Sequence, residues 1–192
     1  MSISKKLNTT LKKSINAKKS LTKQINAINE IISCMTDCIK MGNKMFICGN
    51  GGSAADAQHI AAECLVRLKP NNNRKPIPMI SLALDSSTMT ACANDYSFKS
   101  IFSRNLEGLG KSGDVLICIS TSGNSKNILQ VLKTAKKLKI KTISILGNNG
   151  GEAKKLSDKY IIINSSNVAS IQEAHIFLGH FLIGELEKKI FN

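Results

Sequence analysis

The chain has 192 residues, 42% apolar and 21% charged, with a formal net charge of +14. This is too apolar for a disordered chain, and the length suits one domain that buries roughly 70% of its unfolded surface. No apolar run approaches the roughly 18 residues of a membrane span, and no signal-peptide stretch follows the lysine-rich start, so a cytoplasmic protein without a membrane partner is expected.

Residues 4–41 place Leu7, Leu11, Ile15, Leu21, Ile25, Ile28, Ile31, Ile32 and Met35 at helical spacing, which predicts one long or broken helix. Its first half is very polar and is expected either to fray or to pack on a partner chain. Behind it, Lys44–Cys48, Ile77–Leu82, Asp114–Ser120, Ile140–Leu146 and Lys159–Ile163 read as strands. Residues 53–68, 124–138 and 167–190 read as helices, with shorter helical pieces near 86–93 and 98–109. Such alternation predicts an α/β domain with a parallel sheet covered on both faces. The expected organisation is a single domain over 1–192, a helical segment 1–41 followed by a core 42–192.

Cys34, Cys38, Cys48, Cys64, Cys92 and Cys118 form no C-x-x-C pair and read as buried free thiols. Seven lysines precede Asn26 and no acidic residue precedes Glu30, so much of the charge lies in the first segment. A basic face could serve nucleic acid, anionic membrane or phosphorylated substrates. With two Tyr, no Trp and six Phe there is little aromatic surface for base stacking. The charge is therefore expected to solvate the N-terminal helix and mildly steer anionic substrate, with no nucleic-acid partner.

Open parallel sheets bind ligands at the carboxyl ends of their strands, and polar clusters follow three of the predicted strands. Gly49-Asn50-Gly51-Gly52-Ser53 combines a glycine turn with a new helix, which lets an anion approach unpaired N–H groups. It lacks the dinucleotide fingerprint and the P-loop Lys-Ser/Thr, and by itself could be only a turn. Asp85 to Thr88 follows the second strand. Ser120, Thr121, Ser122 and Ser125 repeat the anion-friendly arrangement with hydroxyls that could cap a helix or bind phosphate. Two such turns at one sheet edge point to a phosphorylated small molecule.

His59 and Glu63, four apart on one helix face, have metal-ligand spacing but could equally be a structural histidine and a solvated carboxylate. Gln172, Glu173, His175 and His180 interrupt the apolar last helix, where each buried polar group needs a partner. Eight residues of helix put Gln172 and His180 about 12 Å apart along the axis, so one shared site would require converging side chains, a helix break or two subunits. His175 could instead be structural.

The stretches "GNGGSAADAQHIAAE", "ANDYSFKSIFSR", "GDVLICISTSGNS" and "IQEAHIFLGH" resemble the phosphoheptose isomerases of the sugar isomerase (SIS) superfamily, from about residue 30 to the C-terminus. The resemblance implies a three-layer, flavodoxin-like α/β sandwich with a five-stranded parallel sheet. It also implies a homotetramer with active sites at subunit interfaces. It implies one Zn²⁺ per subunit on His59, Glu63, Gln172 and His180. Substrate would be held by Asn50, Gly51, Gly52, Ser53, Glu63, Asn94, Asp95 and Gln172, with its phosphate on Ser120, Thr121, Ser122 and Ser125. The implied reaction converts sedoheptulose 7-phosphate to D-glycero-D-manno-heptose 7-phosphate through an enediol, the first step toward nucleotide-activated heptose for surface polysaccharide. Glu63 would be the base and His180 the acid.

Asn148 and Asn149 depart from the Arg-Asp pair frequent in the family, a change expected to touch a loop and not the site. A non-catalytic tetrameric scaffold for a replication initiator and a sugar-phosphate-binding regulatory module are the alternative readings. The complete His59, Glu63, Gln172 and His180 set favours the enzyme.

Overall fold

The computed structural model describes residues 1–83 and 85–191. Its strands are β1 (Met45–Gly49), β2 (Met79–Ser81), β3 (Val115–Ser120), β4 (Lys141–Gly147) and β5 (Lys159–Ile163). They form one parallel sheet in the order β2-β1-β3-β4-β5. Both faces are covered, so β1 and β3 are buried at every position and read as continuous apolar runs. Met45 and Ile47 of β1 and Val115, Ile117 and Ile119 of β3 point into one core. Phe46, Cys48, Leu116 and Cys118 point into the other, as the two-residue period of a strand requires.

The first core is closed by α1 (Ile3–Lys19), α2 (Ile25–Lys40), α3 (Gly52–Leu65) and α8 (Val168–Phe191). The second lies under α4 (Ser86–Asp95), α5 (Ile101–Leu109), α6 (Lys126–Lys137) and the single turn α7 (Ala153–Leu156). A 3₁₀ turn at Phe98–Ser100 leads into α5. Edge strand β2 begins later than the predicted 77–82 because Pro76 and Pro78, which lack N–H donors, stand before it, and it ends at Ser81. Asp114 stands before β3 instead of within it, its carboxylate accepting from the Lys44 and Lys111 amides and pairing with Lys44 Nζ at 2.9 Å.

The N-terminal helix is broken at Ser20–Gln24 by a 3₁₀ turn that buries Leu21. The Gln24 side chain accepts from the Ile162 amide at 3.1 Å and donates to its carbonyl at 2.8 Å, pairing with the open edge of β5 as another strand would. The polar first half does not fray. It lies along α8, where Ser14 and Ala17 are buried and Ser14 donates to the Glu173 carboxylate. Lys18 lies 3.5 Å from that carboxylate. Leu7, Leu11 and Ile15 remain exposed.

All six cysteines are free; five are buried and Cys34 is half-buried. Among the described residues, no helix is long and apolar enough to cross a membrane.

Candidate active site

Strand order reverses between β1 and β3, so the turns leaving their carboxyl ends diverge and open a crevice. Gly51, which initiates α3, has φ +55° and ψ −122°, a conformation that favours glycine. A Cβ at Gly52 would lie 2.6 Å from Gln172 Nε2, so this glycine lets the α8 side chain reach the turn. Ser125 stands at the N-cap of α6 with its hydroxyl uncommitted to capping. Ser120 Oγ accepts from the Gly123 amide at 3.1 Å and Ser122 Oγ from the Asn124 amide at 3.2 Å, so these two hydroxyls also shape the loop.

Asn50, Ser53, Ser120, Thr121, Ser125 and Gln172 line one recess of about 50 Å³. That is room for a few waters or one phosphate-sized group. Among the described residues no lysine or arginine lines it; what it presents are hydroxyls, amides and the N-termini of α3 and α6, groups that suit an anion. A much larger cavity, about 650 Å³, lies at the amino ends of β3 to β5, where its Lys159 and Glu30 already pair with each other.

Asn127, which sequence reasoning missed, joins the two turns. It is 2% exposed and exchanges two amide hydrogen bonds with Asn50, at 2.9 and 2.7 Å. Its only sequence signal is an amide in the first turn of a helix that otherwise buries apolar residues. Asn148, at φ +53°, donates to the Thr121 carbonyl at 2.9 Å, so the loop that carries the departure touches the turn after β3. The loop after β4 packs so tightly on the turn after β3 that a Cβ on Gly123 would lie 2.0 Å from the Gly150 carbonyl oxygen.

Two helical turns further along, α3 and α8 bring His59, Glu63 and His180 together. His59 Nε2 lies 3.1 Å from His180 Nε2 and 3.2 Å from Glu63 Oε1, which lies 3.5 Å from His180 Nε2. A tetrahedral ion bound through N and O at about 2.0–2.1 Å separates its donors by about 3.3 Å, close to all three edges of this triangle. Glu63 Oε2 is buried without a hydrogen-bond partner, as is Asp56 Oδ2 two turns earlier on α3. Burial raises the Asp56 carboxyl above its ordinary range, with His59 and His180 pulling the other way. The three convergent donors and the orphaned oxygen fit a metal ion.

Gln172 is not brought to this triangle. It faces the recess, on the side of α3 where the helix begins. Asn94 and Asp95 end α4 at the surface, where Asn94 donates to Asp95 Oδ1 at 2.9 Å, and neither lines the recess. His175 is fully buried; burial pushes its pKa down to about 4, opposed by the nearby Leu146 backbone, which lies too poorly aligned to count as a hydrogen bond to either ring nitrogen. It packs inside the protein, away from the triangle's Nε2 atoms.

The model of the SIS domain family matches residues 11–147. A phosphoheptose isomerase of Clostridium acetobutylicum is 46% identical over 184 residues, covering 94% of this chain and 93% of the relative. Among solved structures, phosphoheptose isomerases from Francisella tularensis and Neisseria gonorrhoeae superpose with TM-scores of 0.92 and 0.90 at 34% and 33% identity. They cover 98% and 97% of this chain and 100% of each of theirs.

Proposed function

The chain belongs to the phosphoheptose isomerase family of SIS-domain proteins, and on that premise we propose that it interconverts sedoheptulose 7-phosphate and D-glycero-D-manno-heptose 7-phosphate. It is an aldose–ketose isomerase, supplying the first step toward nucleotide-activated heptose. The observation that carries this reading is the pairing, on one sheet edge, of a phosphate-sized recess with the His59, Glu63 and His180 triangle two helical turns away. A seven-carbon sugar phosphate with bonds of about 1.5 Å spans roughly 9 Å from phosphorus to C1. Its length is comparable to the rise of about 12 Å between Gln172 and His180 on α8.

In this reading Ser120, Thr121, Ser122 and Ser125 hold the phosphate, and Asn50, Gly51, Gly52, Ser53 and Gln172 orient the chain of hydroxyls. Asn94 and Asp95, at the exposed end of α4, are proposed as further substrate contacts. Glu63 removes the proton from C1, beside the C2 carbonyl, and delivers it to C2, while His180 protonates O2 as it becomes hydroxyl and takes back the O1 proton as C1 becomes the aldehyde, so both groups end as they began. The orphaned Glu63 Oε2 supports the base assignment, because a buried carboxylate oxygen without a donor is free to accept a proton. Zn²⁺ on His59, Glu63 and His180 would supply polarisation of the substrate oxygens and stabilise enediolate charge. Gln172 joins that set if a second copy of the chain presents it, which the proposed homotetramer with shared active sites allows.

Support for assembly comes from the apolar residues that a single chain leaves uncovered, Leu7 and Leu11 on α1 and Phe177 and Phe181 on α8. A cytoplasmic location follows from the nature of the substrate. The test is turnover: NMR of the zinc-loaded protein with sedoheptulose 7-phosphate should show the aldose accumulating, and its absence with metal bound would contradict the proposal.

A further inference from the structure

We infer that Arg74 and Glu187, a buried ion pair remote in sequence from the polar turns, are positioning residues that set the spacing between Glu63 and His180. The inference rests on the metal reading of that site. The last carbonyls of α3 have no partners within the helix. Arg74 supplies two of them: Nη2 donates to the Glu63 carbonyl at 2.7 Å and Nη1 to the Cys64 carbonyl at 2.8 Å, which the Ile77 amide also reaches. One guanidinium therefore holds the backbone of the residue whose carboxylate belongs to the triangle.

The same guanidinium is fastened to α8. Arg74 Nε donates to Glu187 Oε1 at 2.6 Å, with the two side chains 1% and 4% exposed. Glu187 follows His180 by seven residues, two turns of helix, and so lies on the same face of α8. Its carboxylate also accepts from Asn72 Nδ2 at 3.1 Å.

On the other side of His180, α3 and α8 nearly touch: a Cβ at Gly179 would lie 2.3 Å from Ile60 Cδ1. The helices are thus pinned at two points around the triangle, by close packing at Gly179 and by the ion pair at Arg74. A buried pair gains little net stability over apolar residues of similar volume, because desolvation offsets the attraction. What it does supply is a fixed, fork-shaped geometry, which a lysine cannot reproduce.

The test compares Arg74→Lys and Glu187→Gln with wild type and with Ile161→Ala, a core truncation in β5 that serves as a control for lost stability. Zn²⁺ affinity of each metal-free protein is measured by competition with a chromophoric chelator, alongside kcat and KM. The expected result is a Zn²⁺ dissociation constant raised about 10- to 100-fold in both clamp variants, as for other residues that orient metal ligands. Their kcat should fall while KM stays within about twofold, and Ile161→Ala should keep wild-type affinity. Should Arg74→Lys not fold, Glu187→Gln carries the same expectation with the acceptor shape retained. Zn²⁺ affinity unchanged in folded clamp variants, or lowered no more than in Ile161→Ala, would overturn the inference, as would a wild type that binds no Zn²⁺. A wild type that binds Zn²⁺ without isomerising the sugar would instead remove the proposed reaction and leave the affinity comparison to decide.

Discussion

Asn50 and Asn127 exchange a reciprocal pair of amide hydrogen bonds, so the turns after β1 and β3 move as one unit. Asn127 Oδ1 also accepts from the Ile128 amide at 3.0 Å. Replacing Asn127 with alanine leaves both Asn50 and that amide short of a partner. The expected cost is about 1–3 kcal/mol of stability. KM for the sugar phosphate should rise several-fold with a smaller change in kcat, as denaturant unfolding and steady-state kinetics would show.

Glu63→Gln keeps the size of the side chain and removes its charge. If Glu63 carries the proton, kcat should fall by about 10²–10⁴. The fold should persist, because glutamine keeps an oxygen in the place of Oε1 beside His59 and His180 and the carboxylate's Oε2 has no hydrogen-bond partner to lose. Thermal unfolding read beside turnover separates the two effects; retained turnover would remove Glu63 from the base role.

His175 gives stability a pH dependence whose sign follows from its burial. Its folded pKa is lowered from 6.5 to about 4, so the unfolded chain binds the proton more readily. The contribution is fully present above pH 6.5 and is lost as pH falls from there toward 4. A shift of this size corresponds to roughly 3 kcal/mol. Urea unfolding between pH 7.5 and 4.5 should show the loss, and His175→Phe should flatten that part of the profile.

Removing metal should lower both turnover and stability, since an ion that binds only the folded chain stabilises it by about 2.7 kcal/mol at a hundred times its dissociation constant. Chelation followed by Zn²⁺ should restore the melting temperature and activity together. His59→Asn should lose that metal-dependent rise.

Phe181 is 46% exposed and borders an apolar groove between α2 and α8. Phe181→Lys should shift the protein toward smaller species in light scattering at equal concentration. An unchanged mass would argue that this face is not the subunit contact.

The parallel sheet was legible because strands buried on both faces spell unbroken apolar runs, as Val115 to Ile119 does. The two polar turns were legible from glycine and hydroxyl clusters directly behind those runs. A broken N-terminal helix was one of the two forms the periodicity allowed, but the position of the break at Ser20–Gln24 was not legible, because it depends on Gln24 meeting the backbone of Ile162, a contact between residues 138 positions apart. The pairing of Asn127 with Asn50 and of Arg74 with Glu187 was hidden for the same reason. Spacing suggested His59 with Glu63, but only the parallel course of α3 and α8 brings His180 to them. That same course carries Gln172 to the recess between the two polar turns.

The central claim is the interconversion itself. Purified, zinc-loaded protein is mixed with sedoheptulose 7-phosphate and followed by NMR. Growth of D-glycero-D-manno-heptose 7-phosphate at a rate proportional to enzyme, abolished by Glu63→Gln, is the expected result. A folded, metal-bound protein that leaves the ketose unchanged would contradict the account.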